Sequence, residues 1–421
     1  MKKITVLFLM FLACLIIAAC QSGEEQKEIT IWSFTDEGEY AVEAFKEKHP
    51  DVKVNFEFIP GNQYETKLRS ALATGIRAPD VFALEAAYLR KFIDHPSLES
   101  LSDAPYNAEE LAADHYDYIQ ELERDSEGVL KAVAYQGTTG GFYFRRDLAE
   151  EYLGTSDPEE VSAQISTWDD IFELGQRIYE ESDGEVRLLP NQSAIGDIQD
   201  AKIEQPWVVD NELVIDQAKK DSLDLIDQAI ESNSLAMLDS WSPGWVASMQ
   251  QGSVLFYPAP SWFLNHVLQS NTPETSGLWG LASGPAAFSG GGTFYSIYSD
   301  GDNKDIAWEF VKQYGFDVEF LQNLAKDEEY YTSHRVANDG VADEIASEFL
   351  DGQNYFEFFN QESEKVDAVA RTAFDGDIGD IYGNLLGSYA RGNIKSKEEF
   401  WERFKREVQN YFPELIVKEE V

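Results

Sequence analysis

Cysteine is nearly absent from this chain: among its 421 residues only Cys14 and Cys20 are cysteine. Both lie in an N-terminal segment in which two lysines precede an apolar run over residues 4–19, a pattern typical of a secretory signal peptide. The run is too short for a membrane-spanning helix, which needs about 20 apolar residues. We therefore predict that residues 1–19 are removed on export, that Cys14 leaves with them, and that no disulfide bond stabilises the exported domain.

Basic residues are also scarce. The 33 Lys and Arg residues are outnumbered by 77 Asp and Glu residues, for a formal net charge of −44. This charge excludes a nucleic-acid partner, because a phosphate backbone needs a basic surface. The acids are spread along the whole chain, as in a highly solvated surface, and a habitat of high salt or high pH explains them without any part in ligand choice. With 43% hydrophobic and 13% aromatic residues the chain is predicted to fold, and it is long enough for two or more lobes.

Recognisable catalytic and metal-binding motifs are missing as well. The chain has no Gly-x-Ser-x-Gly elbow, phosphate-binding loop or His-Glu-x-x-His helix. Its five histidines are scattered without ligand spacing: His49, His95, His115, His266 and His334. Residues 300–303 and 375–377 are rich in aspartate, but neither segment completes a calcium-binding loop, and we interpret both as turns. We predict no enzyme activity, no cofactor and no metal. A secreted glycoside hydrolase stays the alternative. It needs two carboxylates, and in so acidic a chain paired carboxylates arise by chance, so their presence neither supports nor excludes it.

The N-terminal part of the exported chain alternates between strand and helix patterns. Strands are predicted over 28–34, 51–58 and 78–84, and helices over 40–49 and 64–74. This βαβαβ order implies a parallel, doubly wound sheet. A glycine- and threonine-rich segment then precedes predicted helices at 168–179, 216–232, 305–314 and 400–411 and predicted strands at 141–147, 254–257 and 293–298. The pattern fits two lobes joined by more than one crossover.

Several short motifs follow one another in a specific order. They are Ile31-Trp32-Ser33, Ala78-Pro79-Asp80-Val81-Phe82, Gly141 to Asp147, Gly252 to Phe256 leading to Ser261-Trp262, and Gly291-Gly292. Together these motifs resemble the family 1 extracellular solute-binding proteins, which include the maltose- and oligosaccharide-binding proteins of ABC importers. Each motif alone is weak, and their order and spacing carry the resemblance. Arg145 departs from the pattern, because members commonly have asparagine there.

The end of the signal segment, Ile17-Ala18-Ala19-Cys20, resembles the bacterial lipobox. In a lipobox a branched residue and small residues precede a cysteine that is diacylated and becomes the new N-terminus. The resemblance implies lipidation of Cys20 and a lipid-anchored protein on the extracellular face of the cell membrane. The alternative is an ordinary secretory signal with an incidental cysteine.

The family resemblance implies an α/β chain with a two-lobed, type II periplasmic-binding-protein-like fold. Its parallel-rich sheets would be flanked by helices, with the ligand cleft between the lobes. Such a protein captures a carbohydrate, here an oligosaccharide, by closing its lobes and delivers it to the transmembrane subunits of an ABC permease. A non-sugar solute is a further alternative, and we expect a monomer. The expected boundaries are a tether over 20–28, lobe 1 over 29–134 and 291–336, lobe 2 over 141–284 and 341–421, and hinges near 135–140, 285–290 and 337–340.

Tryptophans are the first candidates for ligand contact, because a sugar offers C–H faces for aromatic platforms and hydroxyls for polar side chains. Trp262 matches the tryptophan that stacks on sugar in many relatives, and its alternative is an ordinary core tryptophan. Trp241 and Trp245 flank a loop-like Pro-Gly pair. We expect one of these two to be exposed and the other to belong to the core.

Residues after the first strand form a second group of candidates: Trp32, Phe34, Asp36 and Glu37. The carboxyl end of a parallel strand faces the crevice, and the two acids match positions that contact sugar hydroxyls in maltose-binding relatives. The alternative is that Trp32 is core and the acids cap the next helix.

The remaining candidates lie at strand ends and crossovers. For most of them pocket and scaffold are both open: Glu85, Tyr88, Tyr135, Gln136, Thr138 and Thr139. Gly291 and Gly292 would let the backbone approach the ligand or the hinge. Arg335 would fork onto a hydroxyl or carboxylate, although we favour a surface ion pair for it. Asp80 is interpreted as scaffold, a carboxylate that anchors the turn into its strand.

Overall fold

The structure is a computed structural model, and it describes residues 27–418. The signal peptide, Cys20 and nearly all of the predicted tether lie outside the described residues. Within residues 27–418, no helix has the length and apolar character that crossing a membrane requires.

The ten strands of the described chain form two main sheets and a small hairpin. The strands are β1 Glu28–Ser33, β2 Lys53–Phe58, β3 Val81–Glu85, β4 Val133–Ala134, β5 Gly140–Arg145, β6 Val208–Val209, β7 Glu212–Leu213, β8 Phe256–Pro260, β9 Trp279–Ala282 and β10 Thr293–Ile297. Sheet 1 has the order β2-β1-β3-β10-β4 and sheet 2 the order β8-β5-β9, while β6 pairs with β7.

Helices flank both sheets. They are α1 Gly38–Lys48, α2 Gly61–Thr74, α3 Ala86–Ile93, α4 Glu109–Ala112, α5 Asp117–Leu122, α6 Arg146–Leu153, α7 Pro158–Gln164, α8 Trp168–Glu181, α9 Ser193–Asp200, α10 Gln217–Glu231, α11 Pro243–Gln251, α12 Lys304–Phe316, α13 Val318–Glu328, α14 Arg335–Asp339, α15 Tyr355–Ser363, α16 Asp375–Ala390 and α17 Lys397–Tyr411. The predicted helices at 168–179, 216–232, 305–314 and 400–411 correspond to α8, α10, α12 and α17 within a few residues.

The predicted βαβαβ unit is confirmed. Strand β1 pairs in parallel with both β2 and β3, and α1 and α2 are the crossover helices between them. Strand β10 then returns to sheet 1 antiparallel to β3 and β4, so the late crossover into this lobe is also present.

Among the strands within residues 27–418, only β1, β2 and β3 pair with one another in parallel; the other parallel pairings there are isolated bridges. Strand β5 is antiparallel to both β8 and β9, so the expectation of parallel-rich sheets holds for β1, β2 and β3 and is wrong for sheet 2. The long connection from β5 to β8 contains α6 to α11, and the way these helices pack sets the strand direction, which the strand patterns themselves do not contain. Strand β9 was not predicted, since a four-residue apolar run carries no period.

Between the sheets, three segments of the chain lie side by side. Gln136 forms an antiparallel bridge with Thr332, and Thr139 forms one with Ser289. These bridges tie together the passage from β4 to β5, the passage from β9 to β10, and the segment after α13. The exact lobe boundaries and hinge positions given above stay predictions.

One predicted turn is a helix start instead. Residues 375–377 begin α16, where the Asp375 carboxylate accepts hydrogen bonds from the backbone N–H groups of Thr372 at 2.7 Å and Trp207 at 3.1 Å. Asp375 therefore anchors the start of a helix, which favours negative charge at that end. Residues 300–303 form the predicted turn before α12.

Candidate functional site

Two adjoining cavities, of about 490 Å³ and 280 Å³, form a cleft between the elements of sheet 1 and those of sheet 2. Both are lined by Ala87 at the start of α3, by the segment 289–291 before β10, by Asp200 at the end of α9, and by Arg371 and Gly376 near the start of α16. The cleft is thus lined by helix ends and by loops between the sheets, and the polar groups of these segments face the enclosed space.

Three tryptophans make the aromatic wall of the larger cavity: Trp241, Trp245 and Trp262. The rings of Trp241 and Trp262 are nearly parallel, with an interplanar angle of 13° and centroids 6.1 Å apart. Trp241 is 64% exposed, whereas Trp245 is buried and packs against Phe263 and Tyr257. The expectation of one exposed and one core tryptophan in this pair is confirmed.

Trp262 is held in place by the inter-sheet loop. Its indole Nε1 donates a hydrogen bond to the Gly290 carbonyl oxygen at 2.9 Å. Gly291 has a φ of 67°, and a Cβ there would lie 3.3 Å from the same Nε1 atom. A side chain at residue 291 would strain the backbone and crowd the indole, so glycine keeps Trp262 seated at the cavity wall.

One face of α9 contributes polar groups to the same cavity. Ser193, Asp197 and Asp200 recur every three to four residues and therefore share one face of this helix. Asn191 precedes the helix, where its side chain accepts from the Ser193 N–H at 2.9 Å and donates to the Leu238 carbonyl at 2.7 Å. None of these residues was predicted, because acidic and small polar residues are everywhere in this chain.

The cleft also perturbs two carboxyl groups. Asp197 is open to the cavity, yet the surrounding protein excludes enough water that burial raises the pKa of Asp197 to about 6, against the opposing attraction of Lys219. Glu85 caps α3 by accepting from the Ala87 N–H at 3.0 Å, and burial raises the pKa of Glu85 to about 7. Both groups therefore bind and release protons in a range where exposed carboxyls do not.

Helices α3 and α16 touch where both begin beside the cleft. A Cβ on Gly376 would lie 2.3 Å from the Ala87 carbonyl oxygen, so the backbone of α16 approaches α3 as closely as only glycine allows. One residue further on, Asp377 accepts from the Lys91 ammonium group at 2.8 Å. The structure therefore has its lobes in contact across the cleft.

A comparison with known protein families decides the affiliation. The family model of the bacterial extracellular solute-binding proteins matches residues 32–314, which is more than half of the chain. The chain belongs to this family. Its fold agrees with that of solved relatives: a family 1 extracellular solute-binding protein superposes with a TM-score of 0.80 at 18% identity, covering 91% of this chain and 99% of that one.

Two proteins that this solute-binding protein resembles are described by a sugar that they bind. A lactose-binding protein of Rhizobium radiobacter is 23% identical over 389 residues, covering 85% of this chain and 87% of its own. The ABC transporter-associated binding protein of B. animalis subsp. lactis, in complex with β-1,6-galactobiose, superposes with a TM-score of 0.72 at 19% identity and covers 93% of this chain and 100% of its own.

Of the predicted contact residues, the cavities of this solute-binding protein bring together five: Glu85, Trp241, Trp245, Trp262 and Gly291. Gly292 adjoins them with a φ of 119°, and a Cβ there would lie 3.0 Å from the Thr138 side chain. Gly291 therefore lines the cavity, and Gly292 allows the segment before β10 to pass close to Thr138.

The candidates at and after the end of β1 lie beside sheet 1. Trp32 is buried under the Lys67 ammonium group, which lies 4.3 Å from its ring centroid. Phe34 and Tyr88 pack edge-on with each other at 6.4 Å. These three side chains stand outside both cavities.

The two acids after β1 differ from each other. Asp36 is exposed, whereas Glu37 forms an ion pair with His266 and accepts from the Tyr330 hydroxyl at 3.2 Å. Glu37 thereby links the end of β1 to the segment after Trp262. It is engaged in protein contacts and does not cap α1 with its side chain.

The crossover candidates are packed into the protein. Tyr135 stacks on Tyr314 at 4.2 Å, Gln136 is in the bridge to Thr332, and the Thr138 carbonyl accepts from the Gly290 N–H at 3.0 Å. Their placement supports a scaffold for the inter-sheet segments, and their role in ligand contact stays a prediction.

Three further side chains have structural partners. Arg335 donates to Asp117 at 2.9 Å and Glu364 at 2.7 Å, the surface ion-pair arrangement that the sequence favoured. Asp80 accepts from the Thr30 N–H at 2.8 Å and so joins β1 to β3. Arg145 donates to Asp147 and to the Met249 carbonyl, which gives the departure from the family pattern a local role.

No group of three or more His, Cys, Asp and Glu side chains in residues 27–418 is placed to hold a metal ion.

Proposed function

We propose that this protein captures a carbohydrate in the cleft and delivers it to the permease of an ABC importer. The observation that carries the proposal is the pairing of Trp241 and Trp262, near-parallel at 6.1 Å, with the polar face of α9 in one cavity of about 490 Å³. Aromatic faces pack against the C–H face of a sugar, and carboxylate and amide groups bind its hydroxyls. The lactose- and galactobiose-binding relatives support the same ligand class.

Lobe closure would convert binding into a signal. The contact of Gly376 with Ala87 and the ion pair of Asp377 with Lys91 join α16 to α3 beside the cleft, and both would break when the cleft opens. A ligand that bridges the walls favours the closed state because it contacts both only there. The permease would then recognise the closed form, while a lipid on Cys20 would hold the protein at the membrane.

Hydrolysis is the competing function, because Asp197 and Asp200 lie in the same cleft. Their side chains share one helix face and one wall, whereas a glycosidase needs carboxyls that flank the scissile bond. Product analysis after incubation with lactose and β-1,6-galactobiose decides between the two, and enzyme-like turnover would replace transport binding with catalysis.

A thermal-shift screen with monosaccharides, lactose, maltose and β-1,6-galactobiose tests binding directly, since a ligand of the folded state raises its Tm. We expect Trp262→Ala to weaken binding of the stabilising sugar by about 2 kcal/mol, roughly thirtyfold. The matched control is Trp32→Ala, which removes a buried tryptophan outside the cavities.

The two variants should separate affinity from stability. Trp32→Ala should lower the Tm by truncating a buried side chain and leave the affinity of the folded protein unchanged. A folded Trp262→Ala protein with undiminished affinity would eliminate the stacking role. An equal loss of Tm in both variants would show that Trp262 acts as a core residue.

A further inference from the structure

A buried lysine lies directly behind the polar wall of the cleft. Lys219 projects from α10, and its side chain is only 2% exposed, which is rare for lysine unless the ammonium group is paired. Its Nζ forms an ion pair with the Asp200 carboxylate, and the Asp200 side chain remains 40% exposed where it lines the cavity. The lysine is therefore hidden from the ligand but contacts a group that faces it.

Protein groups enclose the ammonium group on its other sides. The rings of Trp207 and Tyr382 lie 5.0 and 5.1 Å from Nζ, and the Tyr382 hydroxyl donates to the Lys219 carbonyl at 2.7 Å. Asp197 on α9, Arg371 before α16 and Asp375 at the start of α16 are the other charged groups that act on it.

We propose that Lys219 is a positioning residue for ligand binding, whose charge holds the Asp200 carboxylate in the orientation that accepts ligand hydroxyls. The inference rests on the proposed function and adds the regulation of the same site by pH. Truncating the lysine would free Asp200 to rotate or to pair with Arg371, which already donates to the Asp200 carbonyl at 3.4 Å.

The positioning charge is itself sensitive to pH. Burial and the neighbouring Arg371 guanidinium lower the pKa of Lys219 to about 7, although Asp197 and Asp375 oppose the shift. The Asp200 carboxylate in the ion pair is not among these causes, and its attraction holds the proton to higher pH. Where the lysine loses its proton, it no longer attracts Asp200. Because the protonated form binds ligand better, binding must take up a proton at pH values near and above 7, by thermodynamic reciprocity.

The experiment is calorimetric titration of lactose and of β-1,6-galactobiose at pH 6.5, 7.5 and 8.5, in buffers of different ionisation enthalpy. We expect the wild type to bind about tenfold more weakly at pH 8.5 than at pH 6.5, the value of one well-placed charged hydrogen bond, and to take up protons on binding. Lys219→Met should be about tenfold weaker than wild type at pH 6.5. It should lack the proton uptake that Lys219 provides.

Two further variants isolate the charge. Lys220→Met, at the next position of the same helix, is the matched control and should keep the wild-type pH profile. Asp200→Asn removes the partner and should also abolish the proton uptake due to Lys219, which keeps the inference testable if Lys219→Met does not fold. Glu85, whose pKa is also raised to about 7, is present in every variant and does not contribute to the differences between them. The pKa of Asp197 is coupled to Lys219, so Asp197→Asn in the wild-type and Lys219→Met backgrounds separates the protons of Asp197 from those of the lysine.

A Lys219→Met protein with wild-type proton uptake and affinity at each pH would overturn the inference. So would a fall in unliganded Tm that accounts for the whole loss of affinity, because the weaker binding would then reflect unfolding alone. Removing one partner of a buried ion pair is expected to lower the Tm, so the affinities are compared at a temperature where every variant is folded. If the wild type binds neither sugar at any pH, the proposed function fails for these probes and the inference falls with it.

Discussion

Closure of the cleft should depend on the absence of a single methyl group at residue 376. In Gly376→Ala the new Cβ would lie 2.3 Å from the Ala87 carbonyl oxygen, whereas ordinary contact begins at 3.4 Å. The start of α16 and the start of α3 would therefore have to separate by roughly 1 Å, the shortfall between these distances. The ion pair of Lys91 with Asp377, now 2.8 Å, would lengthen with them.

This strain exists only when the lobes are in contact. Overpacking of this kind costs about 1–3 kcal/mol, so the closed state, and with it ligand affinity, should weaken by about fivefold to a hundredfold. In the open state the methyl group meets no opposite wall, and alanine is the better helix former. The unliganded protein should therefore keep its Tm.

Gly383→Ala is the matched control, because a Cβ there meets no atom within 4 Å on the same helix. Three quantities are measured for each protein. They are the calorimetric affinity for the sugar that stabilises the wild type, the Tm without ligand, and the radius of gyration in solution with and without the sugar. We expect Gly376→Ala to compact less on ligand addition than wild type or control. Unchanged affinity, or a drop in unliganded Tm as large as the loss of binding energy, would refute the closure argument.

Three other predictions concern single side chains. Trp241→Ala should change stability by less than about 0.5 kcal/mol, since the indole is 64% exposed, yet weaken sugar binding about fivefold to tenfold; chemical denaturation and calorimetry measure the two effects. In the wild type the raised pKa of Glu85 makes the native state hold a proton that the unfolded chain releases, so the free energy of unfolding falls as pH rises from about 4.5 to about 7. Glu85→Gln lacks this proton and should gain stability relative to wild type over that range. Equal pH profiles of the free energy of unfolding would contradict this. Cys20→Ala should no longer incorporate labelled palmitate in a bacterial host. Labelling equal to that of the wild type would contradict the assignment of Cys20 as the lipid-bearing residue.

Much of the fold follows from local patterns. The alternation in 28–34, 51–58 and 78–84 and the helical spacing between them are short-range properties, so β1, β2 and β3 were predictable with their parallel order. Strand β9 was not, because Trp279–Ala282 is apolar throughout and too short to show a period. Its identity depends on pairing with β5, which is far away in the sequence.

The site divides in the same way. Trp262 could be proposed from the family motif that it ends, and Trp241 and Trp245 from the Pro-Gly pair that they flank. Asp197 and Asp200 were not distinguishable among 77 acidic residues, although their spacing with Ser193 shows that they share a helix face. Trp32 was a candidate because, like the other tryptophans, it offers an aromatic face to a sugar. Its side chain points to α2 and away from the cavities.

The sequence by itself determined the α/β class and the βαβαβ order of the first three strands, because these rest on residues that are neighbours in the chain. The order and spacing of its motifs carried the family resemblance. Only the tertiary structure decided which polar groups meet: that Gly290 accepts from Trp262, that Lys219 lies beneath Asp200, and that Gly376 touches Ala87. Such contacts depend on how whole helices pack, and packing is set by the summed burial of many side chains. No local pattern records that sum.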